Sequence, residues 1–268
     1  MTVEENLNRI LLIYQKYYRD VLYLEITPKD AEQTMLERLK ELLHVTDSDI
    51  TMEHLEETSV AQAFTQKGYF FQGGQTGSFF GPYIWKTTEC KTFAVEIPNE
   101  IQKYTVKFMD DFISRSWMDY ISFGEVETGG WADEKGLISC VKSAYDVDSE
   151  SFRVSLLKHE AQHAMDRANY EGMTSQEMEY RAKLVESIYS EMRNLLKPFL
   201  LEADTSQEGN GHALASEQIA RGFERETGCH REQLETLPIS QIQTIAKALF
   251  AESSESLQAK RKKLPDEI

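Results

Sequence analysis

Leu157-Lys158-His159-Glu160-Ala161-Gln162-His163 sets two histidines four residues apart, with a glutamate directly after the first. On an α-helix this spacing offsets the imidazoles by about 40° and one turn. They project side by side and can share one ion, with the intervening Glu160 beside the site. A five-residue pattern of this kind also arises by chance, as two surface histidines with a solvated glutamate. Leu156, Leu157, Ala161, Ala164 and Met165, however, make the helix apolar around the motif and set both histidines against a core, where a buried imidazole needs a partner. The stretch therefore reads as half of a zinc site.

Catalytic zinc typically takes three protein ligands and leaves the fourth position for water. Asp166 lies on the same face but about 10 Å along the axis from His159, too far to converge on an unbroken helix. Positions 166 and 169 are Asp and Asn, so H-E-x-x-H-x-x-G-x-x-H is absent. The motif helix is expected from about Asp148-Ser149 to Tyr170, followed by a tight turn at Glu171-Gly172-Met173. Thr174-Ser175-Gln176-Glu177 then has the capping-box form and opens a second helix running towards Lys197-Pro198. That returning helix offers Glu177, Glu179 and Glu186. Glu177 is used by the cap, and Glu186 lies two turns beyond Glu179. Glu179 is favoured, because Ala182, three positions on, lets the second helix approach the first closely. The expected metal ligands are thus His159, His163 and Glu179.

Working outward, residues 3 to about 24 and Thr27-Pro28 to His44 carry helical periodicity, and a third helix is expected from Thr51 to Gln66. From Gly68, glycines punctuate short aromatic runs, the pattern of strands joined by tight turns. Further strands are expected at 92–97, 104–109 and 136–141, with a helix or turn at 113–121. Leu214 to Glu226, ending at Gly228, and Ile239 to about Lys262 read as the last helices. The division is an N-terminal helical segment, 1–67, and a metal-site domain, 68–268. Within the latter, 68–147 form the sheet, 148–200 the active-site helices and 201–268 the C-terminal helices. Ala203 to Gly211 is the one linker candidate.

Twenty-nine Lys+Arg against 45 Asp+Glu give a net charge of −16, a poor match to a phosphate backbone, so nucleic acid is not expected as a partner. No apolar run approaches the roughly 20 residues of a spanning helix. The acidic start Met1-Thr2-Val3-Glu4-Glu5 has no secretory character, so a soluble, cytoplasmic protein is expected. Cys90, Cys140 and Cys229 are too widely spaced for a CxxC knuckle and are expected to be buried reduced thiols.

The motif pair resembles the gluzincin group of zinc metallopeptidases, in which H-E-x-x-H on one helix is completed by a Glu on the next, often within E-x-x-A. It rests on Leu157 to Met165 and Glu179 to Ala182. The resemblance implies an α+β, zincin-like fold: a small twisted sheet whose edge strand lies over the metal, the two motif helices, and C-terminal helices closing a cleft. It also implies Zn2+ as cofactor and peptides or proteins as substrates. Glu160 would be the general base, and His212, in Gly209-Asn210-Gly211-His212-Ala213, an oxyanion donor, with Tyr180 and Tyr170 weaker candidates. Where members carry E-x-x-x-D this chain has Lys183, leaving Asp166 and Glu186 as candidates to orient a zinc-binding histidine. Substrate would pair with the edge formed within Gly129 to Val141. The alternative is a zincin-like binding or regulatory module in which Glu160 is idle. His44, His54 and His230 read as ordinary surface residues.

Overall fold

Ile10, Tyr14, Tyr17 and Tyr18, spaced at three and four residues, lie on the buried face of helix α1 (Val3–Tyr23). The computed structural model describes residues 3–23, 26–77, 79–98, 100–126, 128–133, 136–206 and 209–261. Thr27 accepts the Asp30 N–H at 3.2 Å and Pro28 sits in the first turn, which together start α2 (Pro28–Leu43). The third expected helix forms with a wider turn inside it: α3 (Met52–Leu55), a π-helical turn Glu56–Val60, and α4 (Ala61–Thr65).

The glycine and aromatic stretch gives β1 (Phe70–Gln72), β2 (Gln75–Thr76), β3 (Phe79–Phe80) and β4 (Tyr83–Trp85), paired antiparallel as β1 with β4 and β2 with β3. Two strands longer than expected follow, β5 (Thr87–Ile97) and β6 (Glu100–Asp110). The stretch left open between helix and turn is both strand and helix: β7 (Ser114–Arg115), paired with β4, runs into α5 (Ser116–Ile121). β8 (Gly130–Ala132) and β9 (Ile138–Val141) then form an antiparallel hairpin. The order β5-β6-β9-β8 leaves β8 on the sheet edge.

The motif helix departs from a uniform α-helix. Ser151–Lys158 is π-wound and leads without a break into α6 (His159–Asn169). The four- and five-residue spacing of buried Phe152, Leu156 and Leu157 suits the wider turn. α7 (Ser175–Tyr189) stops short of Lys197 because Glu150 Oε1 accepts the Ser190 hydroxyl and the N–H groups of Glu191 and Met192, turning the chain out of the helix. α8 (Leu196–Glu202) then carries Pro198 in its first turn, where no intrahelical N–H is required. α9 (Gly211–Thr227) begins before Leu214, since Asn210 Oδ1 accepts the Ala213 N–H at 3.2 Å, and this brings His212 into its first turn. α10 (Arg231–Leu234) and α11 (Ile239–Arg261) complete the chain, with Lys262 and Lys263 outside the described residues. The stretch 203–211, of which 207 and 208 lie outside the described residues, is a loop between the packed helices α8 and α9 rather than a linker.

The fold class is α+β, in two compact units: Met1–Glu89 with Met109–Thr128, and Cys90–Phe108 with Gly129–Ile268. This division departs from a boundary at residue 67, because the first strands share an apolar core with the N-terminal helices; Phe64 of α4 stacks on Phe71 of β1 at 5.8 Å. The second unit has its own core, around Val106, Phe152, Leu184 and Phe223. Only Cys140 meets the expectation of a buried thiol; Cys90 is exposed on β5 and Cys229 half-buried, all three being free. Among the described residues no helix is long and apolar enough to cross a membrane.

The π turn in the first unit buries a carboxylate. Glu56, 1% exposed, accepts the Tyr14 hydroxyl at 2.5 Å and the Gly74 N–H at 2.6 Å. Gly73 has to be glycine, since a Cβ there would stand 2.5 Å from Glu56 Oε2. Burial pushes the Glu56 carboxyl up to about 7, against the pull of those two hydrogen bonds. A carboxyl raised on folding binds its proton more tightly in the native state, so its contribution is most favourable below about pH 4.5 and is lost as pH rises to about 7. Gln at 56 can donate to the Tyr14 oxygen and accept from Gly74. Glu56→Gln is therefore expected to match wild type near pH 4 and exceed it by up to about 3 kcal/mol near pH 8. Urea unfolding across that range, followed by tryptophan fluorescence, checks this; a constant difference between the two proteins would exclude the buried carboxylate as its source.

Candidate metal centre

The first turns of α6 hold His159 and His163 against the second core, both buried, with ring centroids 4.6 Å apart and planes at 86°. α7 returns antiparallel and brings Glu179 between them. Glu179 Oε2 is 3.3 Å from His159 Nε2, and Glu179 Oε1 is 3.3 Å from His163 Nε2. One donor atom from each of the three residues lies within 4.8 Å of the others, the arrangement of a group able to hold a metal ion. Two imidazole nitrogens and a carboxylate are the donor set that zinc takes in protein sites, and their grouping here is compatible with one shared ion. Glu179 Oε2 has His159 Nε2 at 3.3 Å and His212 Nδ1 at 3.1 Å but no well-aligned hydrogen bond among the described residues, and His163 Nδ1 likewise makes none. Such atoms are costly unless something else satisfies them, and an ion held by Glu179 would satisfy the first.

The remaining carboxylates divide in a way spacing alone left open. Glu186 Oε1 is 2.7 Å from His159 Nδ1 and turns that ring so that Nε2 faces Glu179. Asp166 does not orient a histidine. It accepts Gln162 Nε2 at 2.8 Å and Arg181 Nε at 2.9 and 3.0 Å, in a buried clamp between α6 and α7. Lys183 pairs with Glu202 at 2.6 Å. Burial disfavours a charged His159, but the neighbouring Glu179 and Glu186 outweigh it and raise the imidazole to about 10. Burial would likewise raise the Glu179 carboxyl, yet the two imidazoles hold it well below the ordinary carboxylate range. Glu186→Ala is expected to weaken metal affinity about 10–100-fold by freeing the His159 ring, without removing the site. A metal titration with unchanged affinity would show that the ring is fixed by packing instead.

Glu160, half-buried, accepts the Ala132 N–H of edge strand β8 at 2.9 Å. Two turns along the same face of α6, Arg167 Nη1 donates to the Ala132 carbonyl at 3.2 Å. Within Gly129 to Val141 the expected edge is β8 (Gly130–Ala132), with residues 134 and 135 outside the described residues. Hydrogen bonds from Val141 N to Gly129 O and from Asp133 N to Leu137 O point the odd-numbered residues at β9, so Gly130 and Ala132 point outward by alternation. Ala132 is engaged by α6 on both its groups. Glycine at 130 lets the strand lie close: a Cβ would stand 2.6 Å from Leu156 Cδ1 and from the Ser139 carbonyl oxygen.

His212, from the first turn of α9, reaches the group with Nδ1 3.1 Å from Glu179 Oε2 and remains 55% exposed on its side chain. Tyr180 is buried, and Tyr170 lies 5.8 Å from the Arg181 guanidinium. His44, His54 and His230 are exposed. Arg167 and the Ala132 main chain were not anticipated; the seven-residue spacing of Glu160 and Arg167 is the signal that places them on one helix face. No family model, curated protein or solved structure matches this chain.

Proposed function

We propose that this chain is a zinc-dependent peptidase of the gluzincin kind, with His159, His163 and Glu179 holding the ion and Glu160 carrying the proton. The observation that supports it is the convergence of three buried donors, with a fourth side chain, Glu160, held beside them by the edge strand. When bound, zinc supplies Lewis acidity that polarises a water and the carbonyl it attacks. Glu160 would accept a proton from that water at its carboxylate and deliver it to the departing amine, a role that its half-burial on the motif helix supports. Glu186 keeps the His159 Nε2 lone pair aimed inward. His212, solvent-facing on its far side, donates an N–H to the oxygen that gains charge.

An extended peptide would pair with the outward groups of Gly130. Ala132 has its N–H and carbonyl taken by Glu160 and Arg167, so pairing along this edge is confined to one residue unless the strand is released. The same engagement favours a second reading: with the strand never released, Glu160 would be idle and the chain a binding or regulatory module. Incubation of the zinc-loaded chain with a peptide library decides between them. Cleavage at defined bonds is the expected result, and an intact library would favour the module.

A further inference from the structure

On a chain of net charge −16, the groove between α1 and α2 in the first unit has the opposite sign. Arg9, Lys16, Arg19 and Arg38 line this space of about 810 Å³, against one acid, Glu41, among the lining residues. Lys16 reaches Asp20 at 2.5 Å and Arg19 donates to the Tyr120 hydroxyl at 2.8 Å, while Arg38 stands exposed on α2. Leu12, Ile13 and Leu42 form the floor, with Leu12 56% exposed. The pattern is periodic along α1. Arg9 and Lys16 are seven residues apart, about 10 Å along the axis, and Leu12 and Arg19 repeat that interval.

We infer that this groove binds an acidic amphipathic helix of a partner protein. Two helices with an apolar furrow between them accept a third whose apolar side chains recur at three and four residues, and Asp or Glu seven residues apart on its flank would meet Arg9 and Lys16. Nucleic acid and an anionic bilayer fit less well. Either carries negative charge far beyond the groove, where the rest of the chain repels it, and a bilayer is too flat to reach a concave floor. This inference does not depend on the metal centre.

The test is selection of displayed helical peptides on the full chain, counter-selected against Arg9→Glu/Arg38→Glu. Both positions are exposed, so the variant is expected to fold, and circular dichroism checks it. Enriched peptides should carry Asp or Glu beside apolar residues at helical spacing. A synthetic copy should bind wild type at least tenfold more tightly than the charge-reversed variant or Leu12→Asp, a second variant at an exposed site. Enrichment of neutral or basic peptides, or equal binding to all three proteins, would overturn the inference. So would charge-dependent binding only of single-stranded oligonucleotide or phosphatidylserine vesicles, or a wild-type dimer that the charge reversal dissociates.

Discussion

Glu160→Gln is expected to retain the fold and one metal ion per chain while peptide hydrolysis falls about 10²–10⁴-fold, the usual worth of positioned acid–base help. The substitution is nearly isosteric, and Gln can still accept the Ala132 N–H through its carbonyl oxygen, so the edge strand should stay docked on α6. What is lost is the ability to take a proton. Glu160 belongs to none of the three converging donors, which is why metal content should not follow activity. Paired measurements of metal stoichiometry and cleavage rate on purified wild type and variant check this. Equal rates would assign the hydrolysis to a contaminant or to another base, and joint loss of metal would make Glu160 a ligand.

Glu179→Ala is expected to have the largest effect on the ion. It removes the carboxylate that both Nε2 atoms face at 3.3 Å, and the loss of affinity should exceed the about 10–100-fold expected for a supporting residue such as Glu186. Asp166→Ala provides the contrast. It strands the buried Arg181 guanidinium, which should cost about 3–5 kcal/mol of folding stability while the three donors stay in place. Metal titration and urea unfolding on both variants separate the effects. If Asp166→Ala abolished metal binding in a folded protein and Glu179→Ala did not, the third ligand would be misassigned.

The centre was legible in the sequence to the extent that helical geometry determines it. Four-residue spacing puts His159 and His163 on one face whatever the rest of the chain does, and the capping box at Thr174 fixes where the returning helix starts, hence which of its carboxylates comes level with them. The orienting partner was not separable from spacing. Asp166 and Glu186 both stood within reach, and the choice turned on Arg181, a long side chain whose direction only packing decides. His212 joins the group because Asn210 caps α9 one turn earlier than the apolar pattern begins. Helical periodicity does not distinguish the π-wound turns at Glu56–Val60 and Ser151–Lys158 from α-helix, since both windings bury much the same residues over so short a run. The division into units is not legible at residue 67 for a different reason: Phe64 and Phe71 share a core through contacts that a change in composition there does not reveal.

The most direct test of the central claim is the metal content of the chain purified without chelator, measured by mass spectrometry on wild type and His163→Ala. One zinc per wild-type chain, with His163→Ala retaining less than about a tenth under the same conditions, is the expected result, since the remaining two ligands cannot hold the ion alone. Wild-type protein that stays folded yet takes up no divalent metal when zinc is added, or a His163→Ala variant that binds zinc as tightly as wild type, would contradict the account.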